Sequence, residues 1–226
     1  MAATVRRPIT LSDDELDQYA KLLAESFNYN FFGSALNKDK ALQEPMMRAH
    51  MAAALVKGEG EVHVAELPDV GVVGVAVWFG PGHAYLDSDT QRNAGHNQVM
   101  EKLPVELQEW WTQFLDQYAK LTDRVLGPGV KTGGYHLQLI GVSPAHRLKG
   151  VASTLMKYAE TKAHAARVPC IVETVGQRNI TIYKALGYLV AGTGVCEFKF
   201  RTGVVCEVSM GKEIVVGEPR SAVDND

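Results

Sequence analysis

Cysteine is scarce in this chain. Its 226 residues hold three, Cys170, Cys196 and Cys206. They are odd in number, widely spaced and form no Cys-x-x-Cys pair, which argues against a structural zinc or a dithiol centre, and no metal site is expected. No stretch approaches the roughly 18 apolar residues of a membrane span. Residues 1–11 carry Arg6 and Arg7 with no apolar run of a secretory signal behind them. Runs of Lys or Arg are also missing, and the net charge of −3 speaks against a nucleic-acid surface as the main business. No Gly-x-Gly-x-x-Gly turn is present, so a dinucleotide-binding enzyme lacks its fingerprint. Ser143 and Ser153 have no accompanying His and acid pattern for a hydrolase triad. These absences lead to the expectation of a reduced, cytoplasmic protein with neither a membrane nor a nucleic acid as partner.

What remains is ordinary globular composition, 46% hydrophobic and 22% charged. The expected organisation is one domain over 1–216, with a helical insertion at about 83–132 and a polar, disordered tail at 217–226. Residues 4–9 read as a first strand. Ser12 with Glu15 forms a capping box that opens a helix to about residue 27. An aromatic segment, Asn28-Tyr29-Asn30-Phe31-Phe32-Gly33, precedes a second helix over 38–57. Residues 61–67 and 71–79 read as a hairpin turning at Pro68-Asp69. In the following segment Leu103, Leu107, Trp110, Trp111, Phe114, Leu115, Tyr118 and Leu121 recur at helical spacing, an inserted amphipathic helix packed on the sheet. Then come a central strand at 133–142, a helix at 150–167, a strand at 170–175 and a short helix at 179–186. A closing hairpin at 188–200 and 204–210 turns through Arg201-Thr202-Gly203. This order fits an α/β sheet of mixed direction. If 133–142 and 170–175 run parallel, the helix between them is a right-handed crossover, and ligands bind at the carboxyl ends of the strands, near Val142 and Val175.

Three features carry chemistry. Residues 139–152, Leu-Ile-Gly-Val-Ser-Pro-Ala-His-Arg-Leu-Lys-Gly-Val-Ala, run from a buried strand through a basic turn into a helix. First-turn N–H groups lack intrahelical partners and the helix dipole favours an anion, so this turn suits a phosphate. Gly150 lets a ligand approach without a Cβ in the way. Second, Asn179 and Tyr183 are four residues apart and share a helix face. Third, Glu173 is a carboxylate inside the apolar run Ile171-Val172-Glu173-Thr174-Val175. A buried acid needs a partner or a functional reason. It could take a proton from an amine directly or through water, hold a cationic acceptor, or be a paired structural carboxylate. His136 and His146 flank the central strand as lesser candidates for a base. Tyr29 to Phe32, with Trp110 and Trp111, read either as walls of an acceptor pocket or as core aromatics.

The run Arg147-Leu148-Lys149-Gly150-Val151-Ala152 resembles motif A of the GNAT-family N-acetyltransferases, Q/R-x-x-G-x-G/A. The run Asn179-Ile180-Thr181-Ile182-Tyr183-Lys184-Ala185-Leu186-Gly187-Tyr188 is similar to the family's later Asn–Tyr segment before a Gly-aromatic pair. The element order is the family's as well, although the specific matches lie within 135–190. The resemblance implies an α/β fold with a mixed, largely antiparallel central sheet, a splayed parallel pair of strands and flanking helices. It implies acetyl-CoA as cofactor. The backbone of Ile140 and Val142 would pair with the pantetheine amides. The amides of Leu148, Lys149, Gly150, Val151, Ala152 and Ser153 would hold the pyrophosphate, with charge from Arg147 and Lys149. Asn179 would contact the cofactor, and Tyr183 would donate a proton to the leaving thiolate. The chemistry is reasonable, since a phenol of pKa about 10 can serve a thiol of about 8.5. The expected activity is acetyl transfer to the primary amine of a small molecule by direct attack, from a monomer or homodimer. A protein or peptide acetyltransferase and a non-catalytic acyl-CoA-binding module stay open beside it.

Overall fold

The computed structural model describes residues 3–196 and 210–217. Within them the strands are β1 (Thr4–Arg6), β2 (Gly60–Leu67), β3 (Gly71–Phe79), β4 (Tyr135–Val142), β5 (Cys170–Val175), β6 (Leu189–Cys196) and β7 (Met210–Gly217). They form one sheet in the order β1-β2-β3-β4-β5-β7-β6. Only β4 and β5 run parallel; the other neighbours are antiparallel. The helices are α1 (Asp13–Ser26), α2 (Gln43–Leu55), α3 (Val105–Leu126), α4 (Val151–Ala166) and α5 (Gln177–Ala185). The described helices include none long and apolar enough to cross a membrane.

Local chemistry sets most of the boundaries. The capping box is formed: the Glu15 N–H donates to Ser12 Oγ, and the Ser12 N–H donates to the Glu15 carboxylate at 2.9 Å. β1 stops at Arg6, short of the expected residue 9, because Pro8 has no N–H to offer a ladder. α2 begins later than expected, since Asn37 and Lys38 are left-handed and Lys40–Leu42 is a 3₁₀ turn. β4 begins at Tyr135 because Val130–Gly133 is a helical turn. Of the expected closing hairpin, the end of the first strand at 197–200, the turn at 201–203 and the second strand up to 209 lie outside the described residues, as does the tail beyond Gly217. The strand that is described, β7, pairs with β6 and also with β5, so it is inserted between them.

α1 and α2 cover one face of the sheet over Val62, Val64, Val75, Val77, Phe79 and Leu139. α4 covers the other face over Ala65, Val73, Ala76, Trp78, Leu137 and Val172. The aromatic stripe of α3, Trp110, Trp111 and Phe114, packs on Leu36 and Met46 rather than on the sheet. Both tryptophans are buried, and the Trp111 indole donates to the Ala35 carbonyl at 2.9 Å, so they are core aromatics and not pocket walls. Among the described residues it is the C-terminal end of α3 that reaches the sheet, with Val125 against Gly192 and Thr122 against Glu173.

Two glycines bring helices onto opposite faces at the same place. Gly74 on β3 is in register with Val142, and Val75 with Gly141 on β4. A Cβ on Gly74 would lie 2.8 Å from the Val151 side chain, at the start of α4. A Cβ on Gly141 would lie 2.3 Å from Ser26 Oγ and 2.8 Å from Leu23, at the end of α1. Gly141→Ala overpacks this contact and is expected to destabilise by about 1–3 kcal/mol, read as a lower urea midpoint at unchanged slope; an unchanged midpoint would mean that α1 yields freely there.

Candidate functional site

β4 and β5 pair only at Tyr135–Cys170, His136–Ile171 and Leu137–Val172. Beyond that last rung both strands continue, but with other partners. β4 stays paired to β3 through Val142, and β5 to β7 through Val175. The parallel pair is therefore splayed, with Gln138 to Val142 on one side of the opening and Glu173 to Val175 on the other. A bulge helps to re-aim β4. Val77 is in register with Leu139 and Trp78 with Leu137, which leaves Gln138 without a partner on β3. Leu137 consequently faces α4 while Leu139 faces α1, and Ile140 and Val142 face α4 again.

The turn that follows β4 is built for exposed amides. Its start is pinned where the Ser143 N–H donates to Val73 O at 2.9 Å, and residues Pro144–His146 make a 3₁₀ turn. Leu148 is left-handed at φ 60 and its side chain stands fully in solvent. Gly150, at φ 79, is the N-cap of α4 without a side chain to satisfy the first turn, and a Cβ there would meet nothing within 4 Å. Among the described residues no backbone carbonyl takes the N–H groups of Leu148, Lys149, Gly150, Val151, Ala152 or Ser153. Unclaimed donors, an open space and a helix N-terminus together make a cradle that fits a pyrophosphate. The two basic side chains are engaged locally. Arg147 Nη2 donates to Ser26 O, the C-terminus of α1, at 2.6 Å, and Lys149 Nζ donates to Ala145 O at 3.0 Å.

β5 hands over to α5 through Gly176 at φ 88. Asn179 is exposed, and its side-chain amide donates to Val175 O at 3.0 Å, tying α5 to the end of β5. Tyr183 is half-buried in the cluster on the α4 face that includes Ile140, Val142 and Leu186, with its ring 5.8 Å from that of Tyr188. Burial of its hydroxyl pushes the Tyr183 pKa up, so the phenol keeps its proton at neutral pH.

The Glu173 side chain points to the opposite face, as strand alternation requires with Val172 toward α4. It is 1% exposed and already surrounded. The Thr122 hydroxyl donates to Oε1, His136 Nε2 lies 2.9 Å from Oε2, and Lys131 Nζ lies 3.1 Å and 3.3 Å from the two oxygens. The cation that Glu173 holds is thus one of the chain's own. His146 is half-buried in the turn after β4.

The structure thus gathers the 148–153 amides, Ile140, Val142 and Tyr183 on the α4 face, with Asn179 at the end of β5, and sets Glu173 behind them. Sequence reasoning missed the bulge at Gln138 and the partners Thr122 and Lys131. The bulge leaves one trace, the adjacent apolar pair Leu139-Ile140 where alternation should continue. Lys131 leaves none, because it sits in the Gly-Pro-rich linker 127–134.

The chain matches the acetyltransferase (GNAT) family over residues 36–188. Solved structures share its fold. Arylalkylamine N-acetyltransferase 2 from Aedes aegypti is 16% identical with a TM-score of 0.59, over 96% of this chain and 100% of that one. A histone acetyltransferase HPA2 and related acetyltransferase from Corynebacterium glutamicum is 16% identical with a TM-score of 0.57, over 100% of both. The protein yncA from Salmonella typhimurium, solved with its cofactor acetyl-CoA, is 14% identical with a TM-score of 0.52, over 100% of this chain and 99% of that one.

Gly150→Asp puts a carboxylate among the unclaimed amides and adds left-handed strain of about 1–2 kcal/mol. Affinity for acetyl-CoA, read by calorimetry, is expected to fall at least tenfold, an order-of-magnitude figure from losing helix-terminus anion stabilisation and adding like-charge repulsion. Unchanged affinity would remove this turn from the binding surface.

Proposed function

The chain belongs to the GNAT acetyltransferase family, whose cofactor is acetyl-CoA, and from that premise we propose that it acetylates the primary amine of a small molecule by direct attack, in the cytoplasm. The observation that carries the reading is the open ladder between β4 and β5, lying beside a turn of unclaimed amides and a protonated phenol.

Acetyl-CoA supplies an acetyl thioester, an acyl donor that an amine can attack without a covalent enzyme intermediate. The free backbone edge of β4 at Ile140 and Val142 offers hydrogen bonds to an extended arm lying in the gap, and a β4 N–H near Val142 stabilises the oxyanion. The amides of Leu148, Lys149, Gly150, Val151, Ala152 and Ser153 hold the pyrophosphate. Arg147 supports that turn by bracing it on α1, and Lys149 adds positive charge. Asn179 fixes α5 against β5, which keeps Tyr183 beside the opening. Tyr183 donates its proton to the sulfur, which leaves with the electron pair of the broken carbon–sulfur bond as the carbon–nitrogen bond forms. Glu173 takes the proton released by the amine. Its burial makes a water at the open end of the gap the carrier rather than direct contact. Both groups then exchange protons with solvent. Holding two reactants in one cleft supplies much of the rate.

The experiment is a panel of primary amines, free amino acids and intact peptides assayed for thiol release from acetyl-CoA. Free amines as best substrates support the reading; peptides alone would move the acceptor class to protein, and thiol release with none would leave an acyl-CoA-binding module. On the best amine, Tyr183→Phe is expected to lower kcat on the order of 10²-fold while acetyl-CoA affinity changes little. Wild-type turnover would take the acid role from Tyr183.

A further inference from the structure

Glu173 occupies a particular place in the sheet. Leu137 and Val172 form the last rung between β4 and β5, and Glu173 is the next residue along β5. The carboxylate therefore sits at the vertex where the strands part. Among the described residues three separate segments reach it: Thr122 from α3, His136 from β4 and Lys131 from the turn before β4. Lys131 is itself held, with its Nζ 4.6 Å from the centre of the Tyr118 ring on α3. The side chains of Glu173 and His136 are 1% exposed and that of Lys131 is 15% exposed. On the other side of β5, Glu173 is in register with Ile214 of β7, and the charged residues there, Glu213 and Lys212, are in register with Thr174 and Val175. Among the described residues, Lys131 is the cation in contact with the carboxylate, and His136 is the second titratable group in contact.

A carboxylate this deep is driven toward its neutral form unless an opposite charge stands close. A neutral carboxyl group cannot take a proton from an amine. We infer that Lys131 is a positioning residue for the acetyl transfer: it keeps Glu173 ionised and fixed at the vertex, and Thr122 and His136 complete its orientation. This rests on the reading of Glu173 as proton acceptor. The sign is definite. The base works only above the pH at which it loses its proton. Removing the neighbouring cation makes that proton harder to lose, so the acid limb of the pH profile moves up. A positive charge of different shape at the same place moves it back.

The test uses the full chain labelled with ¹³Cδ-glutamate, with the Glu173 signal assigned by its loss in Glu173→Gln. Proton titration is followed by NMR in the wild type, Lys131→Met and Lys131→Arg. The Glu173 midpoint is expected to rise by about one pH unit or more in Lys131→Met, the low end of what a close opposite charge contributes, and to return toward the wild-type value in Lys131→Arg. With the best amine of the panel, the acid limb of kcat/KM moves by the same amount, so turnover one unit below the new limb falls about tenfold. An unmoved midpoint overturns the inference. So does a uniform loss of activity at every pH with a lower Tm, which would make Lys131 a prop of the fold. Failure of the underlying reading looks different: Glu173→Gln would then turn over at the wild-type rate, whatever the titration of Lys131→Met shows.

Discussion

The parallel ladder between β4 and β5 gives out after three pairs, and the rest of the molecule is arranged around that failure. Each strand remains held on its outer side, β4 by β3 and β5 by β7, so neither can close the gap by shifting. Backbone groups along the inner edges are left for water or for a guest, because main-chain donors and acceptors must be satisfied somewhere. An extended guest carrying amides of its own meets that need in the manner of an added strand. This gives the binding of acetyl-CoA by this family a physical cause in the present chain, independent of any side chain.

Several packing choices keep the gap open at the right end. The extra residue at Gln138 turns β4 so that Leu139 is gripped by the α1–α2 layer while Ile140 and Val142 face α4. Gly74 and Gly141, on adjacent strands, admit α4 from one face and the end of α1 from the other. The start of α4 and its exposed amides are thereby set against the end of β4. Arg147 then joins the two helices, since its guanidinium binds the C-terminal carbonyl of α1 from the turn that opens α4. The residue expected to add charge at the phosphate thus also makes a contact between the two helices. Away from the gap, β2 and α4 are tied by a half-buried group in which Lys162 and His63 both contact Glu61. Against burial, which raises it, these bonds bring the Glu61 pKa down to about 2.

The parts of this architecture legible in the sequence are those whose signals are local. The capping box at Ser12 and Glu15, the β5 run from Cys170 to Val175, and Gly150 before a periodic helix each announce themselves within a few residues. The mixed sheet with one splayed parallel pair followed from element order and family resemblance. Pairings between distant segments left no such mark. β7 enters between β5 and β6, although adjacency in the chain suggests only a hairpin with β6. The tryptophans of α3 show helical spacing but not the surface they cover, and they cover Leu36 and Met46 rather than a ligand pocket. At the site, the turn and the Asn179–Tyr183 spacing were legible because one helix carries each. Glu173 was legible as an anomaly, a charge in an apolar strand, while Thr122 sits on α3, whose spacing does not show which strand it meets, and Lys131 in a Gly-Pro-rich linker where no periodicity constrains a residue's direction.

On the proposed reading, the sheet itself separates the two proton-handling groups. Tyr183 lies on the α4 face among Ile140, Val142 and Leu186, where the lack of water stabilises the neutral phenol. Glu173 lies on the other face, against an ammonium, an imidazole and a hydroxyl. The proposed roles need one group protonated and the other ionised at the same pH, and divergent environments on the two faces are the general condition for acid and base to coexist in one site. The two groups can then act together only through a reactant that lies across the gap between the strands. On that reading the opening of the β4–β5 ladder does more than admit a cofactor: it is a place where a reacting centre can be addressed from both faces of the sheet.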